Sequence, residues 1–272
     1  MTITRRSWMK FVGDLRAIND TAADLVSKKL SSLLPIDTDA KITELLDYCY
    51  AVATKYGEAA TELAAQMYDA CAAASGVVLP AAEPAATASY GEVAKAVRGT
   101  MKTTQSPEAI GAAVGRVVKM AGVDTTMRNA IRDGAEWAWI PNGMTCAFCI
   151  MLASNGWQRA SKKALKGGHA EHIHANCDCT YSIRFDSRSD VEGYDPDRYL
   201  EMYNYQLDES GNVLLDENGD PVPRTGRWTK KLNGMRQDFY AQTKATVDNS
   251  AFSDETKSEI LESSAAEEVF VT

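Results

Sequence analysis

The chain has 272 residues, 45% of them hydrophobic and 24% charged, with a formal net charge of −8. The apolar fraction is sufficient for one large or two modest folded domains, which argues against a disordered chain. The negative charge argues against a general coat of nucleic acid, so contact with nucleic acid would require a local basic patch. No run of 18 apolar residues is present, and we therefore expect no membrane span and no membrane partner.

The start of the chain indicates a cytosolic product. Charged residues begin at Arg5 and return at Lys10, so the apolar core of a signal peptide is missing. In a reducing cytosol, cysteines are more often metal ligands, catalytic groups or buried thiols than disulfides. Of the six cysteines, Cys49 and Cys71 lie in or beside an apolar stripe and are expected to be buried thiols.

Residues 1–75 are predicted to form a long helical hairpin. Apolar residues recur every three or four positions from residue 5 to 34 and again from Thr38 to Ala74, with Pro35 between the two runs. Such apolar stripes are typical of a helix face that packs in the protein core or of one that binds a partner helix. We expect these two stripes to pack in the core.

Residues 76–89 contain two prolines and many small residues, and are predicted to be a linker. Residues 90–140 are predicted to form a helical bundle. The spacing of its last two helices is also compatible with a DNA-binding helix-turn-helix. The second of these helices carries three acids and only two arginines, so we expect it to pack in the bundle rather than to bind DNA. The three predicted helices begin at Tyr90, Ser106 and Asp124, and the third includes Trp137.

Residues 206–272 are predicted to contain a hairpin, a basic helix and an acidic tail. Turn signals at 209–212 and 217–220 favour a hairpin over a calcium loop, because the spacing of an EF-hand is missing. The tail from 254 to 268 holds six acids and one lysine, and is expected to be an exposed helix or a frayed end. A basic stretch without an acid opens a helix that reaches about Val247. It fits a solvated face, or contact with DNA or an acidic partner, and consists of Arg224, Arg227, Lys230, Lys231 and Arg236.

The other four cysteines and all three histidines lie between residues 146 and 179. Their pattern is Cys-x2-Cys, a gap, and then His-x2-Cys-x-Cys just before a predicted strand at 180–185, which a predicted helix at 195–205 follows. Zinc prefers four tetrahedral ligands and binds thiolates and imidazoles. We predict that four of five candidates bind one structural Zn²⁺, with His169 and His172 outside the shell. The candidates are Cys146, Cys149, His174, Cys177 and Cys179.

The predicted fold is therefore mainly α. A long N-terminal helical hairpin and a helical bundle precede a small zinc-stabilised α+β module at residues 141–205.

Three other interpretations of the cluster stay open, namely a redox pair, unrelated thiols and a catalytic metal. A Cys-x-x-Cys redox pair would need a thioredoxin-like βαβ pattern around it, and none is present. A deaminase-type zinc site would need His-x-Glu ahead of the Cys-x-x-Cys pair, whereas His169-Ala170-Glu171 follows Cys149.

The segment CAFCIMLAS at 146–154, followed by HANCDC at 174–179, resembles a known family. It is similar to the minor head proteins of tailed bacteriophages related to the F protein of phage Mu. Those proteins close with Cys-x2-Cys, a small-residue linker and His-x2-Cys-x-Cys. The segment AGVDTT at 121–126 and Trp137 are similar to the actinophage branch of this family. The resemblance covers residues 120–205.

The resemblance implies a low-copy structural protein of the capsid interior or portal region, acting in head morphogenesis. It would be made in the host cytoplasm and carried in the virion. Its implied partners are the portal, scaffold or major capsid protein, with local contact to packaged DNA through the basic stretch. A metal-dependent nuclease or effector packaged in the head is the alternative. We favour the structural role without catalytic residues, chiefly on the resemblance.

Overall fold

A computed structural model describes residues 3–142, 145–161, 179–186, 190–250 and 252–267. The chain falls into two compact units. The first, which we call the bundle unit, comprises Met1–Asn142 and Trp157–Tyr194. The second, the C-terminal unit, comprises Gly143–Gly156 and Asp195–Thr272. The five-part domain division predicted from the sequence stays a prediction.

Four helices make up most of the bundle unit. At the start of each, a hydroxyl side chain accepts a hydrogen bond from a backbone N–H in the first turn, which satisfies a donor that the helix leaves unpaired. The two long N-terminal helices and the mainly helical fold are confirmed. None of the described helices is both long and apolar enough to cross a membrane. The four are α1 (Arg5–Leu33), α2 (Asp39–Ala74), α3 (Tyr90–Met101) and α4 (Pro107–Asp133).

Helix α4 is continuous where the sequence predicted two helices. Residues 121–123 lie inside it, so the helix-turn-helix alternative is wrong. Gly122 is a poor helix former, but it is buried against α2, where an added Cβ would lie 3.2 Å from the Ala60 carbonyl oxygen. Packing on both sides therefore outweighs local propensity. The helix ends at Gly134, whose φ of 68° turns the chain away, and Trp137 follows in a strand rather than in a helix.

Helix α4 also approaches α1 closely. A Cβ on Gly111 would lie 2.4 Å from the carbonyl oxygen of Ala23, a separation that real Cβ atoms do not adopt. One turn later, a Cβ on Gly115 would lie 3.1 Å from the carbonyl oxygen of Asn19. The separation of α1 and α4 therefore depends on the missing side chain at position 111.

Residues 76–89 contain no helix or strand, and polar side chains of α4 hold them in place. Asn129 donates to the Glu83 carbonyl at 2.9 Å and accepts from the Glu83 N–H at 3.0 Å. Thr125 accepts from the Ala85 N–H at 3.0 Å, and Arg132 donates to the Pro80 carbonyl at 3.1 Å. Because Asn129 and Thr125 are themselves buried, this connection is a fixed strap. We call residues 80–85 the strap.

A three-stranded antiparallel sheet completes the bundle unit. Its strands β1 (Glu136–Ile140), β2 (Gln158–Arg159) and β3 (Thr180–Arg184) are ordered β2-β1-β3. The strand predicted at 180–185 is confirmed. The Tyr181 ring packs edge-on against Trp137 and Trp139, with centroids 4.6 and 4.7 Å apart. These aromatic contacts fix the register of β1 against β3.

Cys49 and Cys71 are buried in α2, as the sequence predicts. Burial raises the pKa of each thiol to about 12. Both therefore stay protonated at neutral pH and act as small apolar side chains rather than as nucleophiles.

The C-terminal unit is built around the short apolar helix α5 (Ala147–Ala153). It packs against α6 (Pro196–Asn204) and α7 (Trp228–Asp248), and α7 packs against α8 (Asp254–Glu267). The helices predicted at 195–205, through Val247 and in the acidic tail are confirmed.

The two turns predicted between α6 and α7 are also confirmed. The Asp208 carboxylate accepts from the N–H groups of Ser210 and Asn212, and the Asp216 carboxylate accepts from those of Asn218 and Asp220. The backbone hydrogen bonds to Asp216 lower its pKa below the usual value. These carboxylates close the turns, which is a structural role for acids that a calcium loop would use as ligands.

Replacing Gly111 with Ala is expected to destabilise the protein by about 1–3 kcal/mol, because the new methyl group forces α1 and α4 apart. Urea unfolding followed by circular dichroism measures the change. Gly13→Ala is the matched control, since Gly13 lies in α1 with nothing within 4 Å of an added Cβ. This control should gain about 0.5–1 kcal/mol from helix propensity. An equal gain at both positions would contradict the close approach.

Candidate metal centre and basic stretch

Two of the predicted zinc ligands lie at the start of α5. Cys146 is the N-cap residue, with extended backbone (φ −70°, ψ 159°) and no side-chain capping hydrogen bond. Cys149 follows three positions later, a spacing that places both residues on one side of the helix. Cys149 is fully buried and Cys146 is partly buried.

Helix α5 has only seven residues, and its sequence AFCIMLA is apolar on all sides. A helix this short is unstable alone and forms because neighbouring elements cover it. Six of its seven residues are buried, Met151 being the exception. Cys149 is therefore a core position of the C-terminal unit, which fixes the placement of its thiol.

Cys179 lies in the bundle unit, directly before β3. Thr180, the first residue of β3, pairs with Ile140 at the end of β1, and this register positions Cys179 at that end of the sheet. Its side chain is 1% exposed. His174 and Cys177 lie outside the described residues, as do His169 and His172.

The described part of the ligand set consists of three thiols, and no disulfide joins any of the described cysteines. Thiolates suit Zn²⁺, whereas Mg²⁺ and Ca²⁺ prefer oxygen ligands. Within the described residues, no three His, Cys, Asp or Glu side chains form a group that could hold a metal ion. Because His174 and Cys177 lie outside those residues, the zinc site and the choice of four ligands stay predictions.

The first residue of the basic stretch has a structural role. Arg224 is buried, and its guanidinium forms an ion pair with Asp238 of α7 and donates to the Met202 carbonyl at 3.2 Å. Asp238 also accepts from the Leu207 N–H at 2.6 Å. Arg224 therefore does not belong to an exposed basic surface. Sequence reasoning missed Asp238, whose only signal is that it is the first acid after the stretch.

The other four cations of the stretch reach the surface. Arg227 and Lys230 are exposed, and Lys231 and Arg236 are partly buried. Lys231 donates to the Asn204 amide oxygen at 2.8 Å, and Arg236 donates to that of Asn233 at 2.7 Å. None of the four forms an ion pair with a described residue. No described carboxylate oxygen thus lies within 4.0 Å of the charged nitrogens of these four side chains.

Replacing Asp238 with Ala should destabilise the protein by about 3 kcal/mol, because it leaves the Arg224 guanidinium buried without its partner. Urea unfolding measures the loss. Asp248→Ala is the matched control, since Asp248 is an exposed acid of the same helix. This control should change stability by less than about 0.5 kcal/mol.

A double variant, Arg224→Met with Asp238→Leu, should lose less stability than Asp238→Ala, because it removes both charges together. Equal stability of the Asp238→Ala and Asp248→Ala variants would contradict the structural role of the ion pair.

Comparison with known proteins gives one match. A family model described as VG15 protein matches residues 2–206, about three-quarters of the chain. No curated protein and no solved structure matches. The match indicates a phage virion-associated protein.

Proposed function

The chain belongs to the VG15 protein family, a phage-related family, and we propose that it is a structural minor head protein of a tailed bacteriophage. It acts in head morphogenesis and is carried in the capsid interior or portal region. The family match over residues 2–206 is the observation that carries this proposal. The paired Cys/His pattern, with its similarity to the Mu F-like minor head proteins, supports the finer assignment.

The mainly helical architecture suits a protein that acts through contacts. Helices α1 and α2 are 29 and 36 residues long, and a helix of the latter length spans about 54 Å. Outer faces of this length can bind the helices or grooves of another protein. We propose the portal, scaffold or major capsid protein as the partner.

The proposal includes one structural zinc ion per chain. Cys146, Cys149, His174, Cys177 and Cys179 are five candidates for the four ligands that a closed zinc site needs. Helix α5 is too short to be stable alone, and a structural zinc ion can contribute about 10–16 kcal/mol in peptide systems. The ion would thus stabilise α5, which is too short to be stable alone, and it would leave no open position for catalysis.

The head location predicts that the protein is a component of purified phage particles. Quantitative mass spectrometry of particles, purified by two density steps, should find it at a small and constant copy number relative to the portal protein. Procapsids lacking DNA should contain it as well, because a morphogenesis protein enters during assembly. Its absence from both particle types would contradict the proposal.

The zinc site predicts about one zinc ion per purified chain, measured by elemental analysis after reducing, chelator-free preparation. Replacing Cys146 and Cys149 with Ser should abolish zinc content and expose residues 120–205 to protease. Cys49→Ala is the control, since Cys49 is a thiol of α2 that is as buried as Cys149 and its replacement should leave the zinc content unchanged. Full zinc content in the double variant would contradict the site. Zinc-dependent cleavage of nucleic acid that is lost on replacing His172 or His174 would contradict the structural role.

A further inference from the structure

The start of α7 combines an exposed aromatic ring with cations that form no ion pair with a described residue. Trp228 is the first residue of α7 and its side chain is 44% exposed. Arg227 precedes it, and Lys230, Lys231 and Arg236 follow within the next three turns. We call these five residues the cationic patch.

Helix stability does not explain where these charges lie. The N-terminus of a helix carries the positive end of its dipole, so cations there are unfavourable and acids are favourable. The first turn of α7 holds no acid, as in α1 and α5, whereas the first turns of α2, α3, α4 and α6 each contain one. Elsewhere in this acidic chain, cations such as Lys29 and Lys41 pair with carboxylates. The patch therefore keeps a positive charge that costs the helix some stability.

The backbone that presents the patch is held in place on both sides. Gly226 has a φ of 102°, and the Lys230 stem crosses it so closely that an added Cβ would lie 2.7 Å from the Lys230 Cδ. The buried ion pair of Arg224 with Asp238 lies two residues before Gly226. Lys231 is positioned by Asn204 and lies 4.6 Å from the centre of the Tyr203 ring. Lys230 and Lys231 are thus held at the start of α7, two and three positions after Trp228, before any ligand binds.

We propose that the cationic patch binds single-stranded nucleic acid, with phosphates against the four cations and a base stacked on Trp228. Lysines and arginines bind the phosphates of a nucleic-acid backbone by charge. The exposed indole adds a stacking surface that accepts any base, a combination typical of single-strand binding. An acidic peptide would use the charges but not the ring. The inference requires neither the zinc site nor a place in the phage head.

The binding test uses the full chain and a fluorescein-labelled oligothymidylate of about 20 nucleotides, with affinity measured by fluorescence anisotropy. Four phosphate contacts on a single strand predict that affinity falls about 50-fold between about 50 and 200 mM salt. Unlabelled duplex DNA and poly-glutamate are the competitors. The oligonucleotide should bind more tightly than either. No binding at the lower salt, or equally strong competition by poly-glutamate, would overturn the proposal.

Variants separate the patch from the net charge of the protein. Arg227→Glu with Lys230→Glu should weaken binding at least tenfold, whereas Lys95→Glu with Lys244→Glu, which changes two exposed cations outside the patch and alters the net charge equally, should weaken it less than about twofold. Trp228→Ala should weaken binding about 5- to 150-fold, and Trp228→Phe should restore most of it, because stacking needs a ring. Unchanged affinity in Trp228→Ala, with circular dichroism showing an intact fold, would overturn base stacking. Equal losses in the two double variants would overturn the site.

Discussion

The bundle unit depends on how closely α4 can approach its neighbours. Helix α4 packs against α1, α2 and α3 and also contacts β1 and β3, so its position determines where these elements lie. The approach is set by missing side chains, with Gly111 against the Ala23 carbonyl on α1 and Gly122 against the Ala60 carbonyl on α2. Glycine lowers helix propensity by about 1 kcal/mol per residue relative to alanine. The close contacts on two sides offset that cost because 14 of the 27 residues of α4 are buried.

The same helix explains why a segment with the composition of a linker has a fixed path. Thr125 and Asn129 follow Gly122 on α4 and present buried polar groups to the strap, where they bind the backbone of Ala85 and Glu83. The segment AGVDTT at 121–126, which carries part of the resemblance to phage head proteins, thus combines a helix contact with a backbone clamp. Its role here is in packing, which is consistent with a structural protein.

Local patterns predicted the helices well, because apolar periodicity and hydroxyl caps act within a few residues of each other. The long helices, strand β3 and the turns after α6 all follow such patterns. Predictions from the sequence were wrong where contacts between residues far apart in the chain determine the structure. Gly122 indicated a break in α4 because its burial against α2 is not visible locally, and Arg224 looked exposed because its partner Asp238 lies fourteen residues away. For the candidate metal centre, the sequence supplied ligand types and spacing, and the structure adds that Cys149 and Cys179 are buried.

We propose that the two halves of the cysteine cluster hold a single structural zinc ion. Zinc K-edge X-ray absorption on the purified full chain tests it directly, because the number of sulfur neighbours identifies the ligand set. The account predicts a four-coordinate ion with three or four sulfurs at about 2.3 Å and at most one nitrogen at about 2.0 Å. Two or fewer sulfurs, or an ion that keeps bound water in its shell, would contradict a closed structural site built from both halves of the cluster.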